Sequence, residues 1–345
     1  MSLQFPAIDP VLLDLPGPID VRWYGLMYIA GFAVAHVLIG KLSDHGFLKL
    51  ERQAAQDLLV WMLFGVILGG RLGYAVFYDN GLADPVKIVQ IWKGGMSFHG
   101  GLIGVFVAFL LYARKHKLPW LRLGDSAALV VTPGILLVRL ANFINGELYG
   151  RVTEAGVTGA MRFPTDPDAT QALGLAGIAD TRTKELALQV AFDKREFADV
   201  EGQLATHYGN GFPISWDSIA PRLDWTVAQE SVPFRHPSQL YEGLAEGLLL
   251  GLVMWTLYLI LRKNRHLGAG GYGGLFLLGY GTARWFIEKL RQPDTQFTSA
   301  DDPIGTVFMG MTMGQTLCSV MIVAGLVFFV RGLLNREEPA QPAAA

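Results

Sequence analysis

A single cysteine, Cys318, stands in the whole chain. One thiol excludes an intrachain disulfide framework and any metal cluster built from thiolates. Charge is scarce as well: Asp, Glu, Lys and Arg make up 17% of the residues, against about 25% in ordinary globular domains. The net charge of −2 makes no case for a nucleic-acid partner. No basic leader with a small-residue cleavage site precedes the first apolar run. Met1 to Asp20 carries Pro6, Pro10, Pro16 and Pro18 instead, so the first span itself is expected to direct insertion. No internal repeat is visible, which counts against an alternating-access transporter. No lysine sits inside a late apolar run, so a retinal-type receptor lacks its attachment point.

What the chain has in quantity is apolar length. It is 51% hydrophobic over 345 residues, with mean hydropathy +0.34. Runs of about 18–25 apolar residues recur, each enough to cross a hydrocarbon core about 30 Å thick. Seven spans are predicted, near 23–41, 57–78, 96–113, 125–145, 239–261, 271–290 and 312–330. Lys41, Lys49 and Arg52 follow the first, and Arg114, Lys115, Lys117 and Arg122 the third. Arg262, Lys263 and Arg265 follow the fifth, and Arg331 and Arg336 the seventh. The opposite ends carry only Arg22, Lys87, Lys93 and Arg291. By the positive-inside rule the N-terminus is outside and the C-terminus cytoplasmic.

The expectation is an all-α polytopic membrane protein of seven transmembrane helices, with a small outer head between helices 4 and 5. Its parts are 1–146 (N-terminal arm and four helices), 147–237 (head), 238–331 (three helices) and 332–345 (cytoplasmic tail). Phe163-Pro164, Asp166-Pro167 and Gly209-Asn210-Gly211 are turn signals within the head. Residues 182–201 read as a short helix, 211–236 as irregular or stranded, and Pro339 to Ala345 as disordered.

Three arginines fall where lipid should be: Arg71, Arg139 and Arg284. Counted from the cytoplasmic ends of their spans, each lies about 14 residues in, or about 21 Å up the helix. Each costs at least about 2.5 kcal/mol in lipid, so all three should face protein and meet anions. Asn142 is three residues after Arg139; Tyr280 and Glu288 are four before and four after Arg284. Glu242 and Glu246 form an i,i+4 acidic pair in the fifth span. An excess of cations over these acids would leave a pocket for an anion, and the nearest anion in a bilayer is a lipid phosphate.

His99 opens the third span in Ser97-Phe98-His99-Gly100-Gly101. Imidazole titrates near neutral pH, which makes it the best general-base candidate here. Its Gly-Gly step permits close approach of a ligand or of another backbone. His36 reads as structural, His116 as a cytoplasmic loop residue and His236 as an outer loop residue. Gly69-Gly70, Gly270-Gly271 and Gly273-Gly274 are explained by close helix packing, while Gly94-Gly95 reads weakly as a flexible gate.

The run from Arg139 to Arg151 (RLANFINGELYGR) resembles the signature segment of the bacterial prolipoprotein diacylglyceryl transferases. So do Ser97 to Gly101, His236-Pro237-Ser238-Gln239-Leu240-Tyr241-Glu242 and Arg291-Gln292-Pro293-Asp294. The match runs through all seven spans in order, and only the outer segment, roughly 151–230, is longer than in short members. The resemblance implies transfer of a diacylglyceryl group from phosphatidylglycerol to the lipobox cysteine of a prolipoprotein signal peptide. Glycerol phosphate would be released at the periplasmic side of a bacterial cytoplasmic (inner) membrane. It implies that Arg139 and Arg284 handle the phosphatidylglycerol, with His99 as a third catalytic residue. By the same resemblance Tyr24, Asn142, Glu147, Gly150, Tyr280, Glu288, Arg71 and Arg291 match substrate-binding positions. No metal or other cofactor is called for.

Overall fold

The structure is a computed structural model that describes residues 2–6, 8–13, 15, 20–77, 97–178, 180–193, 223–293, 298–299 and 302–338. The Gly94-Gly95 step, Gly209-Asn210-Gly211, Asp294 and the tail Pro339 to Ala345 lie outside the described residues. Among the described residues five helices are long and apolar enough to cross a membrane: α1 (Trp23–Asp44), α2 (Arg52–Phe77, apolar to Val76), α4 (Trp120–Ile144), α8 (Ser238–Leu261) and α10 (Met313–Leu334). Two shorter apolar helices, α3 (Phe98–Lys115) and α9 (Gly271–Ile287), fall where the third and sixth spans were expected. The helices α2 and α4 begin about five residues before the expected spans. Good helix formers such as Gln53, Ala54, Ala55 and Gln56 continue the helix past the end of the apolar run.

The remaining elements are short: α5 (Pro167–Ala172), α6 (Thr181–Asp193) and α7 (Trp225–Ala228). Three antiparallel ribbons among the described residues qualify the all-α expectation. They pair β1 (Val11–Leu13) with β2 (Val21–Arg22), β3 (Val152–Thr153) with β4 (Phe234–Arg235), and β5 (Thr306–Phe308) with β6 (Met311–Thr312). Two compact units form: residues 1–31, 134–249 and 280–320 make the first, and 32–133, 250–279 and 321–345 the second.

In the second unit α2 and α3 touch backbone to backbone. A Cβ on Gly104 would stand 2.0 Å from the Gly65 carbonyl oxygen, and one on Gly100 would stand 2.3 Å from that of Gly69. Gly100 of the Ser97–Gly101 segment is therefore used by helix packing, which answers part of the Gly-Gly reading. Gly104→Ala is expected to force the pair apart and cost about 1–3 kcal/mol. A thermal melt in detergent should show a lowered midpoint; an unchanged midpoint would mean the contact does not exist.

Pro133 lies inside α4 and cannot donate to the Leu129 carbonyl. Trp255 Nε1 donates to that oxygen at 2.8 Å, so the proline leaves no orphaned acceptor in an apolar setting. The start of α9 is capped from outside itself. Fully buried Asp125 accepts from the Gly270 and Gly273 amides at 2.9 and 2.8 Å. These are among the first N–H groups that a helix leaves unpaired. Close by, His266 is buried among Tyr258, Phe47 and Arg122, and burial pushes its pKa down to about 4.

The first unit owes its core to aromatics from distant stretches. Phe5 meets Phe143 and Phe163 at 5.3 and 5.1 Å, and Tyr149 stacks on Phe163 at 4.8 Å. Leu173, Leu175 and Leu186 complete it, so the stretch after α4 folds on its own apolar cluster. Arg182, 3% exposed, holds Asp9 at 3.0 Å and ties the N-terminal arm to α6.

Candidate functional site

The site forms in the first unit around one carboxylate. Glu242, 1% exposed, lies 2.7 Å from Arg139 Nη2, 3.0 Å from Arg284 Nη1 and 3.7 Å from Arg291 Nε. These are charge contacts without hydrogen-bond alignment: Glu242 Oε2 and Arg284 Nη1 have no hydrogen-bond partner. Arg284 Nη1 thus has no hydrogen bond to give up to a planar or tetrahedral anion, the kind of group that Arg binds through parallel N–H groups. Arg284 Nε also approaches Glu288 at 3.5 Å, one turn on along α9.

Local backbone explains why Arg139 reaches Glu242. Just after that carboxylate, α8 widens into a π-helical stretch, Gly243–Leu249. Such widened turns mark functional positions in many helices. A Cβ on Gly247 would stand 2.7 Å from the Leu136 amide nitrogen, and one on Gly243 would stand 3.2 Å from Arg139 Cβ. Glycine at both positions lets α8 and α4 meet at backbone distance and brings the acid against the arginine.

The turn after α4 is built for the same purpose. Arg139 Nη1 donates to Asn142 Oδ1 at 3.4 Å, and Asn142 Nδ2 donates to Glu147 Oε1 at 2.8 Å. Gly146 and Leu148 have φ of +65° and +57°. The leucine is held in that sparsely populated region by Ser238 Oγ, which donates to its carbonyl at 2.9 Å, and by Gln239 Nε2, which donates to the Glu147 carbonyl at 2.5 Å. Strain of this kind persists where surrounding bonds enforce it.

Gly150 supplies the third arginine. Its amide donates to the His236 carbonyl at 2.7 Å, and it bridges to Arg291. A Cβ there would lie 2.3 Å from the Leu290 oxygen, so no larger residue fits. Arg235 closes the bracket: it pairs with buried Asp166, donates to Gln292 Oε1 at 2.9 Å and lies 5.0 Å over the Tyr149 ring. His236, read from sequence as a loop residue, is partly buried; its Nδ1 has no hydrogen-bond partner and burial lowers its pKa.

Of the residues expected in the site, Arg139, Asn142, Glu147, Gly150, Arg284, Glu288 and Arg291 come together here. Tyr280 lies one turn before Arg284 on α9 and is within electrostatic reach of it. Tyr24 belongs to the same unit, its ring 5.2 Å from that of Tyr28. His99 and Arg71 belong to the second unit. His99 is exposed in the first turn of α3, whose N-cap is Ser97; Arg71 is buried, 5.7 Å from the Tyr74 ring. The acids weighed against the arginines in the sequence do gather with them. Arg139, Arg284 and Arg291 are matched in number by Glu242, Glu246 and Glu288, because the fold brings both acids of the i,i+4 pair to the arginines. Sequence reasoning did not place Arg235 and Asp166, and it named Glu242 as a neighbouring acid without seeing it as the shared partner of the arginines. Among the described residues no three His, Cys, Asp or Glu side chains gather as a metal site.

Several apolar helices of spanning length, with an ion-paired polar cluster buried among them, define a multi-pass membrane protein with an internal polar site. The model of the prolipoprotein diacylglyceryl transferase family matches residues 10–331, and the chain belongs to that family. It is 39% identical over 331 residues to the phosphatidylglycerol–prolipoprotein diacylglyceryl transferase of Idiomarina loihiensis, covering 95% of this chain and 94% of that one. The enzymes of the same name from Neisseria meningitidis serogroup B and Burkholderia multivorans are each 38% identical. They cover 97% and 98% of this chain and 99% of their own lengths.

Proposed function

We propose that this chain transfers the diacylglyceryl group of phosphatidylglycerol to the lipobox cysteine of a prolipoprotein, forming a thioether and releasing glycerol phosphate. The reading places it in a bacterial inner membrane with seven spans, the N-terminus outside, and the site towards the periplasm. Residues 147–237 are then a periplasmic head, and 332–345 a cytoplasmic tail. The observation that carries the reading is the gathering of Arg139, Arg284 and Arg291 on buried Glu242, with Arg284 Nη1 making no hydrogen bond.

The chemistry fits those donors. A thiolate sulfur attacks a glycerol carbon, a carbon–sulfur bond forms, and the carbon–oxygen bond breaks with its electron pair passing to the phosphate. The donor diester carries one negative charge and the departing monoester gains more. Fixed guanidiniums beside the phosphate therefore favour the transition state over the ground state. A free cysteine thiol has a pKa near about 8.5, so a base or positive field must raise the thiolate fraction. His99 is proposed as that base, and Tyr24, Asn142, Glu147, Gly150, Tyr280, Glu288 and Arg71 as binding residues.

The purified chain, phosphatidylglycerol and a lipobox peptide test this. Release of glycerol phosphate with a matching mass gain on the peptide is expected. Movement of intact lipid without peptide modification would replace the reading with a transporter. For His99, the pH–rate profile of His99→Gln is expected to lose the limb that a titrating base creates. An unchanged profile would leave this residue a structuring role only.

A further inference from the structure

One acid at the site is unaccounted for. Glu246 is 0% exposed, and neither carboxylate oxygen has a hydrogen-bond partner. It sits one turn after Glu242 inside the π-helical stretch of α8. The charged and titratable groups around it are Arg139 on α4, Tyr280 and Arg284 on α9, Arg291 beyond α9, Cys318 on α10, and Glu242 on its own helix. Glu147 is one step removed, reached from Arg139 through Asn142.

A buried carboxylate with no hydrogen bond keeps its charge only through nearby cations. Here those cations are the arginines that the proposed function assigns to a lipid phosphate. Without Glu246, three guanidiniums face two ion-paired carboxylates, and the cluster carries one net positive charge for an anion to neutralise. With Glu246 ionised, that charge is already cancelled. Headgroup and carboxylate therefore compete for the same guanidiniums.

We infer that Glu246 is a positioning residue that takes up a proton when the anionic headgroup binds, so that lipid and proton enter the site together. The inference rests on the headgroup reading of the site. By linkage, proton uptake means that affinity falls as pH rises, by at most about tenfold per pH unit for one proton. Glu246→Gln, which mimics the protonated acid in shape and charge, should bind phosphatidylglycerol at the acidic-plateau affinity at every pH.

The test is calorimetric binding of short-chain phosphatidylglycerol to the full chain in detergent, from about pH 5.5 to about 8.5, in buffers of different ionisation enthalpy. The lipid diester does not titrate in this window, so protons taken up belong to the protein. The wild type is expected to take up as much as one proton per lipid, and Glu246→Gln none. No uptake by the wild type anywhere in the window would overturn the inference, and so would equal uptake by the Gln variant. Should Glu246→Gln not fold, Glu246→Asp keeps a titratable carboxyl and is expected to shift the pH at which uptake occurs; an unshifted curve overturns the inference. A wild type that links lipid and proton but makes no modified peptide would sink the transferase reading alone.

Discussion

Glu242→Ala is expected to lose about 3–5 kcal/mol of stability, the loss typical when one partner of a buried ion pair is removed. Three guanidiniums converge on this 1% exposed carboxylate from α4, α9 and the segment after α9. Without it they repel one another where they are largely withdrawn from water. Glu242→Gln should lose less, because the amide keeps a partly negative oxygen and the same volume beside the arginines while the full negative charge is gone. Thermal unfolding in detergent measures both variants. A Glu242→Ala protein as stable as wild type would show that the carboxylate is not the hub of the cluster. Transfer activity should fall with it, since Arg139 and Arg284 lose the contact that holds their planes.

The second large effect is on rate. Arg139→Lys retains the charge but replaces a planar fork with a point charge. If the guanidinium grips the phosphate through two donors, thioether-linked product should form about a hundredfold more slowly, as when one fixed donor to a developing anion is lost. Turnover number should carry most of the loss, because the bond strengthens as the leaving phosphate gains charge. A lysine variant working at full rate would exclude the fork and leave only a requirement for positive charge.

Much of this arrangement was legible in the sequence, and the illegible part has a physical cause. Run length made the spanning helices visible, since a bilayer imposes a minimum length that few other environments do. Helical spacing made Arg139 with Asn142, and Arg284 with Glu288, visible as neighbours on one face. Spacing does not reveal the π-helical stretch after Glu242, nor the two glycines that bring α8 to backbone distance from α4. The sequence therefore showed the acidic pair 242/246 near the arginines, but not that Glu242 is the carboxylate on which Arg139, Arg284 and Arg291 converge. Arg291 enters through a bridge to Gly150, set by Arg235, Asp166 and Gln292. Those contacts join residues about 60 to 140 positions apart, which no local period encodes. The Asp166-Pro167 turn signal marked the N-cap of α5, but not the ion pair that the same aspartate makes with Arg235.

The glycines of Ser97–Gly101 show how one motif admits two readings. Close approach was expected, by a ligand or by another backbone. Gly100 meets the Gly69 carbonyl of α2, so that position is explained by packing, while His99 beside it stays exposed. Its proposed role as base therefore rests on its chemistry and on the family resemblance.

The central claim is that the arginines around Glu242 hold the phosphate of the lipid donor. The most direct measurement is an experimental structure of the full chain with phosphatidylglycerol bound. The account predicts the headgroup phosphate within hydrogen-bond reach of both Arg139 and Arg284. A phosphate lodged elsewhere, with these arginines held by the protein's own carboxylates alone, would contradict it.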